Sequence, residues 1–291
     1  MHGHRPGSPD ADPPIQVHHY DERTVILRQS MCVHYEAPFL YLLFGEERGL
    51  LLDTGATADK ARFPLREVVD GLIEGWLAAH PRQDYGLLIA HTHAHGDHVA
   101  ADGQFAGRAA TAVVGHGVDD VRAALGITDW PAQVVPLDLG GRVLEVTGIP
   151  GHQVASIAIF DPWTGFLLTG DTVYPGRLYV EDMPAFVDSL ERLVALADQR
   201  PVSHVLGTHI EMSTRPGHDH PLGFPYHPDE PPLQMTVAQL RSVREHARAV
   251  QDRPGVSVFE DVIIWNGHPV SAVVGQLLRG LAARIRYRLR G

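Results

Sequence analysis

The stretch His91-Thr92-His93-Ala94-His95-Gly96-Asp97-His98 is the most informative part of this sequence. The apolar run that precedes it, residues 85–90, is typical of a buried strand. Side chains alternate along extended backbone, so the two histidines and the aspartate at alternate positions of the pattern His-x-His-x-Asp-His point to one side. The final histidine breaks this alternation and needs a turn or a helix start to join them. Imidazole and carboxylate together suit zinc, iron or manganese. The four candidate metal ligands are His93, His95, Asp97 and His98.

Three more candidate ligands follow downstream, each at the end of a predicted strand. His152 follows a Gly/Pro turn, Asp171 ends the apolar run 166–170, and His209 follows the apolar segment 202–206. Ligands at strand ends can converge on one edge of a sheet, where loops build a site on a rigid frame. His204 competes with His209 for the last position, but the Gly207-Thr208 turn favours His209.

The triplet Asp53-Thr54-Gly55 also occurs in aspartic proteases. That chemistry needs two such carboxylates side by side, and the chain has one triplet in 291 residues. A protease of this kind would also leave the histidine cluster unexplained. We therefore expect Asp53 to orient metal-binding histidines instead.

Five motifs together carry a family resemblance. The chain resembles the metallo-β-lactamase-fold hydrolase superfamily over about residues 15–210. The resemblance implies an α/β fold, an αββα sandwich with metals at one edge. The matching motifs are Leu50-Leu51-Leu52-Asp53-Thr54-Gly55, Thr92-His93-Ala94-His95-Gly96-Asp97-His98, Pro150-Gly151-His152, Leu168-Thr169-Gly170-Asp171-Thr172 and Gly207-Thr208-His209.

The resemblance also implies a division of the ligands between two metals. One metal is expected on His93, His95 and His152, and the second on Asp97, His98 and His209. Asp171 is expected to bridge the two, together with a hydroxide. Two catalytic residues are expected, Asp97, which orients the hydroxide or passes a proton to the leaving group, and Tyr174, with Tyr179 as the alternative counterpart of the lactonase tyrosine.

The predicted function is a dinuclear metal-dependent hydrolase that cleaves a small ester-like bond, a thioester, a lactone or similar, with metal-bound hydroxide. Two divalent metals can hold the nucleophile and the developing oxyanion at once. We expect zinc, with iron or manganese as alternatives. Asp171 stands where β-lactamases usually carry Cys or Ser, and the run 170–177 resembles glyoxalase II-like proteins. The basic C-terminal glutathione-binding pattern of true glyoxalase II is not found.

Two alternatives stay open. The first is a mononuclear iron persulfide dioxygenase, which would hold one iron on His93, His152 and Asp171. The second is a non-enzymatic, metal-stabilised binding module. The presence of the second-metal ligands favours the hydrolase, because they suit a two-metal clamp.

Composition restricts partners and location. The net charge of −11 and the pI near 5.9 argue against nucleic-acid binding, so we expect a small-molecule substrate. Cys32 is the one cysteine, which excludes an intrachain disulfide. No signal peptide or membrane-spanning run is recognised, and the expected location is the cytoplasm. The oligomeric state is left open.

Three segments are predicted. Residues 1–14 are expected to be disordered, and residues 15–210 to form the core. Residues 211–291 are expected to form a Pro/His-rich loop and C-terminal helices packed on the same domain. A capping box, Thr236-Val237-Ala238-Gln239, marks the start of one of these helices, and residues 269–290 form the last. Whether the loop 211–235 covers the cleft is left open.

Overall fold

The computed structural model describes residues 12–289. The predicted disorder of residues 1–14 therefore lies outside the described residues, apart from its last three positions. The first sheet has six strands in chain order. Within it, β4 pairs with β5 and β5 with β6 in parallel, and the other neighbours are antiparallel. Its strands are β1 (Ile15–Asp21), β2 (Thr24–Gln29), β3 (Phe39–Phe44), β4 (Arg48–Leu52), β5 (Gly86–Ala90) and β6 (Thr111–Val113).

A second six-stranded sheet packs on the first. Its order is β13-β12-β10-β9-β8-β7, and β10 pairs with β12 in parallel across a helical crossover. Its strands are β7 (Val135–Asp138), β8 (Val143–Gly148), β9 (Ile157–Asp161), β10 (Phe166–Gly170), β12 (His204–Gly207) and β13 (Gln234–Met235).

Alternation along the strands divides the core into layers. In β3, Leu40 and Leu42 face helix α1 (Leu65–Ala79), whereas Tyr41 and Leu43 face the second sheet. Successive residues of β9 point to opposite sides. One set faces the first sheet, and the other faces helices α4 (Met183–Gln199) and α5 (Val237–Val250). Each sheet is thus covered by helices on its outer face, and the predicted αββα sandwich is confirmed.

The remaining helices are short or terminal. Helix α2 (Gly96–Val99) and helix α3 (Val118–Leu125) follow β5 and β6, and a 3-10 turn, Asp102–Phe105, lies between them. Helix α6 (Val270–Leu289) ends the described chain. None of the helices within residues 12–289 combines the length and the apolar character needed to cross a bilayer.

A third, small sheet ties the C-terminal segment to the core. Strand β11 (Arg177–Val180) pairs in parallel with β15 (Ile263–Asn266), which pairs with β14 (Gly255–Val258). This pairing joins segments more than 80 residues apart, and no local sequence pattern indicated it. It brings the loop after β15 to the edge of the sheets where the candidate ligands lie.

The helix starts agree with the sequence. The predicted capping box before α5 is present: Thr236 Oγ1 accepts from the Gln239 backbone N–H at 3.1 Å, and Gln239 Oε1 accepts from the Thr236 N–H at 2.8 Å. Strands β3 and β4 form an antiparallel hairpin that turns at residues 45–47. The last helix forms as predicted, but much of its apolar side is about half exposed: Val274, Leu277, Leu278, Leu281 and Ile285.

Candidate metal centre

The His-rich stretch runs from the end of β5 into α2. Residues 91–95 leave the strand, and His95 precedes the first turn of α2, where the His98 N–H donates to the His95 carbonyl at 3.0 Å. The helix start that the sequence required for His98 is therefore present. It turns the side chains of Asp97 and His98 toward the same edge as the preceding histidines.

Three histidines form the first group of ring nitrogens. His93 Nε2 lies 3.0 Å from His95 Nδ1, and His152 Nε2 lies 3.2 Å and 3.1 Å from these two atoms. Ligands about 2.0–2.1 Å from a tetrahedral zinc are separated by about this much. His152 reaches the group from the loop after β8.

Asp97, His98, Asp171 and His209 form the second group. Asp97 Oδ2 lies 3.3 Å from both His98 Nε2 and His209 Nε2, and those two nitrogens are 3.3 Å apart. Asp171 Oδ1 lies 3.4 Å from His209 Nε2. His98 is fully buried, whereas Asp97 keeps part of its surface open to the cleft.

Asp171 lies between the two groups. Its Oδ2 is 3.8 Å from His93 Nε2, 3.7 Å from His152 Nε2 and 3.6 Å from His98 Nε2. Thr208 Oγ1 donates to Oδ1 of the same carboxylate. The structure thus brings all seven predicted ligands together. It leaves out His204, which lies at the start of β12 with Nδ1 beside Ser203 Oγ.

Backbone carbonyls fix the tautomers of two of the histidines. His152 Nδ1 lies 2.6 Å from the Tyr179 carbonyl, and His209 Nδ1 lies 2.9 Å from the Glu36 carbonyl. A carbonyl can only accept, so both Nδ1 atoms carry the hydrogen. Their Nε2 lone pairs consequently point into the cluster, as in metal-binding histidines whose outer N–H is held by an acceptor.

Asp53 performs the same task for His98. Its buried carboxylate accepts from His98 Nδ1 at 2.9 Å and from the Thr92 N–H and hydroxyl at 2.7 Å and 2.9 Å. The Thr92 hydroxyl donates to Asp53, so it accepts from His93 Nδ1 at 3.1 Å. The backbone of Asp53 lies in the left-handed region, with φ of 69°. Such strain persists where surrounding contacts hold it.

The electrostatics differ between the two groups of ligands, with neutral imidazole favoured in the first group and positive charge favoured in the second. Burial lowers the pKa of His93 well below its usual range, and the neighbouring His98 lowers it further. Burial also lowers the pKa of His209, but Asp171 and Asp97 outweigh this and raise it to about 10. Inward lone pairs and two carboxylates in one buried cluster are a donor set that fits divalent cations.

A cavity of about 320 Å³ opens onto the cluster. A cleft of about 380 Å³ elsewhere, between the edges of the two sheets, contains none of the seven ligands. The first cavity is lined by Glu36, His95, Asp97, His152, Asp171, Tyr174, Tyr179, Glu181, His209, Glu211 and His268. Sequence reasoning missed Glu36, Glu181, Glu211 and His268, because none of them belongs to a recognisable motif.

The hydroxyl of Tyr174 is bound by the chain itself. It lies 2.5 Å from the Arg177 carbonyl and 3.1 Å from Glu211 Oε2, and its ring packs against His209 at 5.6 Å between centroids. Burial and then the Glu211 carboxylate raise the pKa of Tyr174 well above its usual range. To reach a substrate, this hydroxyl would have to leave both partners.

A buried ion-pair network supports the wall behind Tyr174. The Arg177 guanidinium donates to Glu211 and, at 2.7 Å, to Asp219 Oδ2, and all three side chains are at least nine-tenths buried. Removing one partner leaves buried charge uncompensated. We expect E211A to lower the free energy of unfolding by at least about 2 kcal/mol, since Asp219 still pairs with the arginine.

Urea unfolding of E211A measures this effect. E74A, on the exposed face of α1, is the control and should change the free energy by less than about 0.5 kcal/mol. Equal stability of the two variants would show that the network contributes little.

Gly151, which precedes the ligand His152, packs against the first turns of α4. It has φ of +137°, and a Cβ there would lie 2.4 Å from Phe186 Cα. Its carbonyl accepts from the Glu181 and Asp182 N–H groups at 2.8 Å and 2.9 Å. We expect G151A to destabilise the protein by about 2–4 kcal/mol, through overpacking and backbone strain, and to weaken metal binding.

Thermal unfolding and metal content test this expectation. G75A is the matched control, because Gly75 lies in α1 with open space around its Cβ position. That change should stabilise the protein by up to about 1 kcal/mol. A G151A protein with the melting temperature and metal content of the parent would show that the close packing at Gly151 matters little for stability or for metal binding.

Comparison with known proteins places the site in context. The profile of the metallo-beta-lactamase superfamily matches residues 37–209. Hydroxyacylglutathione hydrolase from Rhizobium meliloti (strain 1021) is 30% identical over 166 residues, 55% of this chain and 61% of that protein. The Pseudomonas aeruginosa (strain LESB58) hydroxyacylglutathione hydrolase is 36% identical over 131 residues, 43% of this chain and 48% of its own length.

A different relative extends further along the chain. Acyl-coenzyme A thioesterase MBLAC2 from Gallus gallus is 29% identical over 205 residues, 60% of this chain and 72% of that protein. The chain spans between 47% and 61% of the length of the first three hydroxyacylglutathione hydrolases that it matches.

Solved structures agree on the fold. The DIM-1 metallo-beta-lactamase exposed to ceftazidime has a TM-score of 0.54 at 13% identity, over 83% of this chain and all of that chain. A metallo-beta-lactamase from Pontibacter korlensis has a TM-score of 0.53 at 16% identity, over 80% of this chain and 99% of that chain. At this identity the likeness concerns the fold alone.

Proposed function

This chain belongs to the metallo-beta-lactamase superfamily, and from that premise we propose that it is a hydrolase that uses two divalent metal ions to cleave a small ester-like bond. The bond is a thioester, a lactone or a similar carbonyl compound. The observation that carries the proposal is the convergence of seven ligand side chains on one buried cluster that opens onto a cavity.

The two groups of ligands suggest which residues would hold each metal. His93, His95 and His152 would hold one, and Asp97, His98 and His209 the other, with Asp171 shared between them. The imidazole-rich donor set suits zinc, with iron and manganese as alternatives. Bound divalent metals would supply a water of lowered pKa as the nucleophile and an electrophile for the carbonyl oxygen.

The chain's own residues would orient the reaction. Asp97 has one carboxylate oxygen against His98 and His209, and it also lines the cavity. We propose that it orients a water molecule and passes a proton to the leaving group. The catalytic role predicted for Tyr174 stays a prediction, since its hydroxyl is bound to Arg177 and Glu211.

The size of the site and the relatives support a small substrate. A cavity of about 320 Å³ lies at the lower end of the range for small-molecule sites. Relatives named as a hydroxyacylglutathione hydrolase and an acyl-coenzyme A thioesterase support a thioester or a related bond. The net charge of −11 supports a small-molecule partner rather than a nucleic acid.

One experiment separates hydrolysis from oxygen chemistry. Protein purified without chelators is assayed for metal, then tested on esters, thioesters and lactones, and with a persulfide in an oxygen electrode. We expect hydrolysis of at least one of these bonds and no oxygen uptake. One iron per chain, oxygen uptake with the persulfide and no hydrolysis would instead identify a persulfide dioxygenase.

A further inference from the structure

The outer wall of the metal-centre cavity is acidic. Three carboxylates, those of Glu36, Glu181 and Glu211, line it in addition to the predicted ligands Asp97 and Asp171. Among the residues of the 12–289 range that line the cavity, none is Lys or Arg. Two bound dications would carry four positive charges, of which the carboxylates of Asp97 and Asp171 would offset two and a bound hydroxide one more.

Glu181 is the exposed charge of this wall. Its side chain is 54% exposed, and Oε1 is 3.7 Å from His95 Nε2, too far for a hydrogen bond. Glu211, by contrast, is paired with Arg177. Glu36 is only partly exposed, and its backbone carbonyl accepts from His209 Nδ1. Glu181 is therefore the carboxylate best placed to meet a charge carried by a substrate.

The position of Glu181 is fixed by its backbone. Its N–H donates to the Gly151 carbonyl at 2.8 Å, directly beside the ligand His152. It also follows β11 and precedes the first turn of α4. A group bound at this carboxylate therefore lies a short distance from the predicted metals, as the non-reacting end of a small ester would.

Aromatic rings lie on the same wall. Tyr179 and His268 have ring centroids 6.1 Å apart and planes at 24°, and both line the cavity. The hydroxyl of Tyr179 is held by Arg177 Nε at 3.1 Å and by Gln276, which fixes the ring. Organic cations bind over aromatic faces, and a carboxylate beside the rings adds charge complementarity.

On the basis of the proposed hydrolase function, we propose that the substrate carries an organic cation of the ammonium type. This group binds at the cavity mouth against the Glu181 carboxylate and beside the rings of Tyr179 and His268. Esters whose non-reacting end is a carboxylate, a sulfonate or a phosphate meet the Glu181 carboxylate with like charge, which disfavours their binding at this position.

Three thioesters that differ mainly in charge test the inference. The probes are acetylthiocholine, its uncharged isostere S-(3,3-dimethylbutyl) thioacetate, and anionic 3-(acetylthio)propanesulfonate. With the zinc-loaded protein we expect kcat/KM to fall about tenfold from the cation to the isostere and further to the anion. The preference should shrink at 0.5 M salt, since salt screens partly exposed charges.

Variants locate the preference. E181Q should bring the cation-to-isostere ratio close to one, whereas E74Q, on the exposed face of α1, should leave it unchanged. Metal content is measured in both proteins. E181D, which keeps the charge, should recover part of the cation-to-isostere ratio. If Glu181 only positioned His95, its replacement would instead change the rates with all three probes alike.

A binding measurement keeps the test independent of turnover. Calorimetry of the zinc-loaded protein compares choline with 3,3-dimethylbutan-1-ol, and choline should bind about tenfold more tightly. Tighter choline binding without hydrolysis of any probe or of any ester, thioester or lactone in the panel would overturn the hydrolase and leave the cation-binding site standing. Hydrolysis with no preference for the cation, or with a preference for the anion, would overturn the inference and leave the hydrolase standing.

Discussion

Replacing Asp171 by Asn, or His209 by Ala, is expected to reduce turnover of the best ester, thioester or lactone by more than about 100-fold. Asp171 lies within 3.8 Å of ligand nitrogens in both groups, and His209 closes the second group. D171N removes a negative charge from the proposed second metal site, and H209A removes a donor nitrogen from it. The measurement is kcat with zinc-saturated protein, together with metal content, for each variant.

His204 provides the matched control. It lies on the same strand as the approach to His209 but outside the cluster, so H204A should keep nearly full turnover. If D171N and H209A are as active as H204A, the two-metal account is wrong. If only H209A keeps its activity, a single metal on the first group is sufficient.

Removing the metals is expected to lower the melting temperature by roughly 8–16 °C, in addition to abolishing activity. Seven ligand side chains converge on one buried cluster only in the folded chain, so cations held there stabilise the native state over the unfolded one. A ligand present at 1,000 times its Kd stabilises the native state by about 4 kcal/mol, and a domain of this size melts about 2–4 °C lower for each kcal/mol lost.

Thermal unfolding before and after chelation, followed by dialysis, measures this shift. Adding zinc back should restore the original melting temperature, and adding magnesium should not, because magnesium prefers oxygen ligands. An unchanged melting curve after verified metal removal would show that metal contributes little to the fold.

The ligands could be predicted from the sequence because each of them follows a strand. Apolar runs locate the strand ends, and strand ends at one sheet edge bring distant residues together. The alternation of side chains also predicted that His98 needs a turn or a helix start, and α2 provides the helix start. The turn before His209 likewise distinguished it from His204 as the ligand, because His209 follows the strand whereas His204 lies within it.

The walls of the cavity could not be predicted in this way. Glu181 and His268 meet there because β11 pairs with β15, a contact between segments far apart in the chain. Such pairing depends on tertiary packing, which has no local periodicity. The last helix was likewise predicted at residues 269–290, but the half exposure of Leu277 and Leu281 was not.

The most direct test of the two-metal account is the dependence of hydrolysis on zinc added to the chelated protein. We expect activity on the best substrate to rise and to reach a plateau at two equivalents of zinc per chain, because both ligand groups take part. A plateau at one equivalent, or hydrolysis that is complete without added metal, would contradict it.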